Sequence, residues 1–125
     1  MDGESLTAAG LLAALSRVAG VLAELRHPFV RSAPFSYVVP PAGVRVGTLF
    51  TLPDGREVSF EVSIAVVDGG FQVEGGVTAE SDVLLGLPVK RLPDIEVALA
   101  VLDDYAGDVA AGAGRLIDRL LDAIV

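Results

Sequence analysis

The stretch that decides the fold runs from residue 44 to residue 80 and reads VRVGTLFTLPDGREVSFEVSIAVVDGGFQVEGGVTAE. Apolar and polar residues alternate along it with a period of two, which is typical of strands with one buried and one solvent-facing side. Two turn signals, Pro53-Asp54-Gly55 and Asp68-Gly69, divide it into three segments. The stretch therefore predicts a three-stranded antiparallel β-meander.

The lengths of the two turns predict the register of this meander. The first hairpin needs an odd number of loop residues to keep the apolar faces aligned, and Pro53-Asp54-Gly55 supplies three. The second needs an even number, and Asp68-Gly69 supplies two, a favoured type I′ pair. Val62 is thus expected opposite Val46 on one side and Gly75 on the other. The expected apolar face consists of Val44, Val46, Thr48, Phe50, Leu52, Val58, Phe60, Val62, Ile64, Val66, Phe71, Val73, Gly75, Val77 and Ala79.

Less regular segments flank the meander on both sides. Phe35–Val39 alternates like a strand, but prolines surround it, which favours an edge strand or an extended loop. Val83–Arg91 alternates as well and is predicted to form a fourth strand, with Pro88 indicating an edge position.

The first helix is predicted over Leu6–Arg26, capped by Ser5 and ended by Pro28. One apolar stripe runs along it at helical spacing. The stripe comprises Leu11, Leu15, Val18, Leu22 and Leu25.

The last helix is predicted to follow Pro93-Asp94 and to continue for about 30 residues, or ~45 Å at 1.5 Å per residue. A bend or break at Gly112-Ala113-Gly114 is the main alternative. The predicted seam is Ile95, Ala98, Leu102, Tyr105, Val109, Gly112, Leu116, Leu120 and Ala123.

Together these elements predict an α+β fold over residues 1–125, organised as a single α-β-β-β-(β)-α domain. An antiparallel meander of three to four strands is expected, with one face covered by the N-terminal helix and the long C-terminal helix. No segment carries a motif specific to one protein family.

Composition narrows the classes of function. The net charge is −8, from 17 acidic and 9 basic residues, which disfavours binding to nucleic acid or to a membrane surface. The chain has no cysteine, so a cytoplasmic location is expected. Arginine outnumbers lysine eight to one and asparagine is absent, which points to a GC-rich bacterial genome.

Few residues suggest catalysis or metal binding. His27 is the single histidine; a cap at the end of the first helix is favoured over a general base. Asp103, Asp104 and Asp108 lie within two helical turns, but exposed helix acids rarely hold a cation. Arg45 is expected opposite Ser63 and diagonal to Glu61, where a solvated cross-strand pair is favoured over a small polar site. We expect no catalytic residue, no metal and no cofactor.

Three functional classes remain. The favoured one is a non-catalytic protein–protein interaction module resembling an immunity protein, a chaperone or a regulatory subunit. The second is a carrier of a small apolar ligand between sheet and helices, and the third is a small enzyme using carboxylates or His27. The carrier's expected ligand-binding residues are Phe50, Phe60, Phe71 and Gly75. A homodimer and an unidentified protein partner are also expected, and the predicted dimer interface is Leu116, Ile117, Leu120, Leu121 and Ile124.

Overall fold

A computed structural model describes residues 3–40, 42–80 and 82–124 of the chain. Within these ranges it contains three helices and six strands. In chain order they are α1 (Gly3–Ala23), β1 (Arg31–Val39), β2 (Gly43–Thr51), β3 (Glu57–Val67), β4 (Gly70–Ala79), β5 (Asp82–Gly86), β6 (Lys90–Leu92), α2 (Ile95–Ala111) and α3 (Ala113–Ile124).

The six strands form one antiparallel sheet. Strands β1 to β5 pair in sequence order, and β6 pairs with β4 beside β5. The predicted α+β class and antiparallel meander are confirmed, but the sheet has more strands than the three to four expected, because both flanking segments add to it.

The predicted register of the central strands is confirmed. Val62 lies opposite Val46 in β2 and opposite Gly75 in β4. Val62 is buried, whereas Glu61 and Ser63 beside it are partly exposed on the other face. Both turns therefore maintain the two-residue period that separates the faces.

The two turns differ in how well their geometry was predicted. Gly55 has a φ of 91° at the third position of the first loop, which is the expected left-handed residue. In the second loop Gly69 has a φ of 81°, but Asp68 does not adopt a positive φ. The type I′ prediction is therefore wrong: that turn needs two left-handed residues, and only the glycine takes this conformation without a steric cost.

Helix α1 begins and ends three residues earlier than predicted. Ser5 lies within the helix and not before it, so the prediction that it caps the helix is wrong. Val18 and Leu22 of the predicted stripe are fully buried against the sheet. Arg26 donates side-chain hydrogen bonds to the carbonyls of Ala23 and Leu25 and so caps the C-terminal end.

The segments on either side of the meander form the edges of the sheet. Strand β1 is an edge strand paired only with β2 in the described sheet, which was one of the two predicted outcomes. The predicted fourth strand is instead two short strands, β5 and β6, which pair with separate parts of β4. The pairing of β4 with β5 also shifts register between Val77 and Thr78. As a result Leu84 packs against the core, whereas Val83 and Leu85 are exposed.

The last helix is not continuous. Asp94 caps α2 by accepting a hydrogen bond from the amide of Glu96 at 3.0 Å, and α2 ends at Ala111 with Gly112 as its C-cap residue. A second helix, α3, starts at Ala113. The break changes the helical phase, so Ala113 and Ile117 are buried in place of the expected Gly112 and Leu116. The prediction of one continuous 45 Å helix is therefore wrong, and its alternative, a break at Gly112-Ala113-Gly114, is the observed arrangement.

Within the described ranges, none of the helices combines the length and the apolar character that a membrane-spanning segment requires.

Candidate functional site: the open face of the sheet

The two long helices pack on the apolar face of the sheet. Helix α1 lies against β1 and β2, and α2 lies against β3 and β4. The opposite face carries the polar residues of the alternating pattern, and we call it the open face. It presents two neighbouring hollows with different chemistry.

An arginine cluster occupies the middle of the open face. Arg45 lies opposite Tyr37 on one side and Ser63 on the other. Its Nη1 donates a hydrogen bond to the Tyr37 hydroxyl at 3.1 Å and lies 3.8 Å from Oε1 of Glu61. Glu61 Oε2 accepts a hydrogen bond from the Ser59 hydroxyl at 2.9 Å. The cross-strand pair suggested by the alternation is thus present, and Tyr37 extends it onto the edge strand.

This cluster is electrostatically negative despite the arginine. Burial of the Arg45 guanidinium opposes its charge, but the Tyr37 hydroxyl and the carboxylates of Glu61 and Glu74 outweigh burial and raise the pKa of Arg45. Glu61 is the acid that pairs with Arg45. Among the residues whose side chains the structure describes, no ion pair involves Glu74.

The first hollow, which we call the polar hollow, lies between this cluster and β5. Its volume is about 200 Å³, and Gly75 and Gly76 form part of its lining. Position 76 requires a glycine because the neighbouring backbone lies close: a Cβ on Gly76 would be 2.5 Å from the carbonyl oxygen of Leu85. The side chains around the hollow include Arg45, Glu61, Ser63, Glu74, Thr78 and Val83.

The second hollow, which we call the aromatic hollow, lies on the other side of Tyr37. The Phe35 and Tyr37 rings stack with centroids 5.7 Å apart and an angle of 27° between their planes. Phe35 covers the backbone of Gly47, where a Cβ would lie 2.7 Å from the phenylalanine ring. The hollow measures about 340 Å³ and is lined by Ala33, Pro34, Phe35, Tyr37, Leu49, Ser59 and Glu61. Glu61 therefore borders both hollows.

The four residues predicted to bind an apolar ligand do not form one pocket. Phe50 and Phe60 are fully buried and pack edge to face, with ring centroids 5.2 Å apart, so they fill the core. Gly75 faces the core too, where a Cβ would lie 3.2 Å from Val62 and 3.3 Å from Tyr105 of α2.

Phe71 borders a different space, the apolar hollow, at the end of the sheet near α1. This hollow measures about 250 Å³. Its lining residues are Leu11, Val38, Ala42, Gly43, Val44, Ile64, Ala65, Val66 and Phe71.

His27 does not cap α1, because the helix ends at Ala23. The imidazole is largely buried, with 9% of the side chain exposed, and its Nε2 lies 2.7 Å from Oδ1 of Asp118 in α3. The amide of Phe29 donates to Nδ1 at 3.2 Å. Since Nδ1 accepts this hydrogen bond, Nε2 is the nitrogen that donates to the carboxylate of Asp118. The contact through Nε2 thus joins α3 to the loop after α1, and the contact through Nδ1 lies within that loop.

The acidic residues of α2 include one that pairs with a base of α1. Asp103 forms an ion pair with Arg17 of α1 at 3.1 Å. In residues 3–40, 42–80 and 82–124 no group of three or more metal-binding side chains comes together.

The predicted interface residues of α3 are only partly available at the surface. Ile117 is buried within the chain, and Leu116, Leu120 and Leu121 are half-buried against the core. Ile124 is 36% exposed. The break at Gly112 turns this helix so that part of its apolar surface is already covered.

No protein-family model matches this chain, and neither a curated protein nor a solved structure is significantly similar to it. Function is therefore inferred from the residues themselves. Sequence reasoning singled out Arg45, Glu61 and Ser63 but missed Phe35, Tyr37 and Val83. The spacing of Phe35 and Tyr37, two residues apart, indicates that both rings lie on one face of a strand. Only the pairing of β1 with β2 places that face beside Arg45.

Proposed function

We propose that this chain is a non-catalytic protein–protein interaction module that binds its partner through the open face of the sheet. The observation that carries the proposal is the pair of hollows on a face that the long helices leave uncovered. Tyrosine and arginine are enriched at protein interfaces, and this face presents the exposed Tyr37 and the partly buried Arg45.

Site-specific photo-crosslinking tests this proposal. Replacing Tyr37 with p-benzoylphenylalanine places a reactive group on the open face. Val97 of α2 is a matched control, since both residues are 47% exposed. In the cells that make the protein, irradiation should give a discrete crosslinked protein from position 37 and none from position 97. Equal crosslinking at both positions, or none at position 37, would contradict the proposal.

An apolar-ligand carrier is the second candidate, favoured by the uniformly apolar lining of the apolar hollow beside Phe71. Its volume of about 250 Å³ lies just below the ~300–1,000 Å³ of common ligand clefts. A fluorescent apolar dye should bind the wild-type chain and lose affinity in Phe71→Ser. Phe29→Ser, which alters an exposed aromatic outside the hollow, serves as the control. Equal dye binding by all three proteins would remove this candidate.

We also propose a homodimer through α3 and a cytoplasmic location. The half-buried Leu120 and Leu121, together with the exposed Ile124, support the dimer, and symmetric dimers are the commonest assembly. Light scattering at micromolar concentration should give about twice the chain mass, and Ile124→Lys, which alters the exposed residue of this set, should give a folded monomer. A monomeric wild-type chain would refute the dimer.

A further inference from the structure

The polar hollow contains more negative than positive charge. Arg45 is its one basic residue, and Glu61 and Glu74 are two acids. Glu61 is already engaged by Arg45 and by Ser59, at 3.8 Å and 2.9 Å. The carboxylate of Glu74 contributes to the field at Arg45 but pairs with no base in the described part of the chain. A cationic group that enters the hollow is therefore attracted by the carboxylate of Glu74, which is not neutralised by an ion pair within the described part of the chain.

The size of the polar hollow also limits its occupant. Its volume of about 200 Å³ is below the ~300–1,000 Å³ typical of clefts that enclose a whole small molecule. A single long side chain matches this space better. The hydroxyls of Ser63 and Thr78 line the polar hollow and can accept hydrogen bonds from an ammonium or guanidinium group. The apolar Val83 also lines it and suits the aliphatic stem of a lysine or arginine side chain.

The aromatic hollow lies directly next to this space. Glu61 borders both, and the stacked Phe35 and Tyr37 rings, together with Leu49, give the second hollow an apolar character. Two adjacent subsites of opposite chemistry, a negative one and an apolar one, are suited to two neighbouring side chains of one polypeptide.

From this geometry we infer that the open face binds a polypeptide segment of the partner in which a lysine or arginine enters the polar hollow and a nearby aromatic or aliphatic side chain enters the aromatic hollow. This inference rests on the proposed interaction function and specifies its partner. The net charge of −8 adds a general attraction for such a basic segment.

Selection of short random peptides on the immobilised full chain tests the inference. Enriched peptides should carry Lys or Arg within a few residues of an aromatic or aliphatic residue. In amide spectra of the protein, the best peptide should shift Ser63, Glu74 and Thr78. Enrichment of acidic peptides, enrichment of none, or shifts confined to other surfaces would overturn the inference.

Matched variants identify the groups responsible. Glu74→Gln should weaken the selected peptide about tenfold, which corresponds to 1.4 kcal/mol. Glu57→Gln is the control, because Glu57 lies on the same face but lines neither hollow, and it should leave affinity unchanged. Tyr37→Ser should weaken binding through the aromatic hollow. Equal effects of the Glu74 and Glu57 variants would show only nonspecific attraction and would overturn the inference.

Crosslinking at position 37 and the effect of Glu74→Gln separate the interaction function from the basic segment. If position 37 crosslinks a protein in cells but that complex is insensitive to Glu74→Gln, the interaction function stands and the basic segment is wrong. If position 37 crosslinks nothing, the interaction function itself is wrong.

Discussion

The hydroxyl of Thr48 in β2 donates a hydrogen bond to the backbone carbonyl of Leu22 in the last turn of α1. Thr48 is fully buried on the otherwise apolar face of the sheet. Helix-end carbonyls lack the intrahelical donors available to the rest of the helix, and here water cannot reach the group. The contact therefore satisfies a buried acceptor and also joins the first helix to the meander.

Replacing this hydroxyl should destabilise the protein without changing the fold. Thr48→Val retains the shape but removes the donor, and the Leu22 carbonyl keeps the amide of Leu25, 3.2 Å away, as a second partner. We expect a loss of about 1 kcal/mol in the free energy of unfolding. Urea denaturation measures it, with the exposed Thr51→Val as a control expected within about 0.5 kcal/mol of wild type. Similar losses in both variants would contradict the role of the hydrogen bond.

Gly75 should tolerate a side chain poorly. A Cβ there would lie 3.2 Å from both Val62 and Leu87 and 3.3 Å from Tyr105, so Gly75→Val must displace the contact between sheet and α2. Overpacking of this kind costs roughly 1–3 kcal/mol. Gln72→Val in the same strand removes one exposed hydrogen bond from Arg91 and should cost much less. If chemical denaturation ranks these two variants in the opposite order, the assignment of Gly75 to the packed face is wrong.

The contact between His27 and Asp118 should couple α3 to the loop after α1. A double-mutant cycle with His27→Ala and Asp118→Ala isolates the pair from the packing lost with the ring. Asp118 is 67% exposed, so we expect a modest coupling energy of about 0.5–1 kcal/mol in thermal or urea unfolding. The same cycle with Asp122→Ala, one helical turn further on, should be additive. Additivity in both cycles would show that the contact adds no stability.

The first hairpin should respond to acid through Asp54. The amide of Arg56 donates to its carboxylate at 3.0 Å and the guanidinium at 2.8 Å, and this lowers the pKa of Asp54. Because the folded-state pKa is depressed, the stabilisation is present above the ordinary value of about 3.9 and is lost as pH falls through the lower folded value. The stability advantage over Asp54→Asn should therefore shrink in acid.

A carboxyl NMR titration separates the two causes of this shift. The hydrogen bond from the Arg56 amide is the largest single cause of the lowered pKa, ahead of the hydrogen bond and the charge of the guanidinium. Arg56→Gln keeps the amide and should therefore leave the pKa of Asp54 below its ordinary value. A full return to the ordinary value in that variant would assign the shift to the guanidinium.

The register of β2, β3 and β4 follows from the sequence alone. The two-residue period and the parity of the two loops are local properties, and they place Val62 between Val46 and Gly75 before any tertiary contact is known. The N-cap at Asp94 is equally local, because a side chain and an amide two residues apart form it.

Tertiary structure decided the features that depend on distant partners. Strand β1 brings Tyr37 next to Arg45, and no local pattern specifies which edge a proline-flanked segment will join. Glycine permits both a continuous and a broken helix at Gly112. The helical phase after it therefore depends on which residues of α3 pack into the core, and Ile117 is buried there. The two hollows exist because side chains from different strands meet on one face, and a periodic pattern predicts the face but not the space between its side chains.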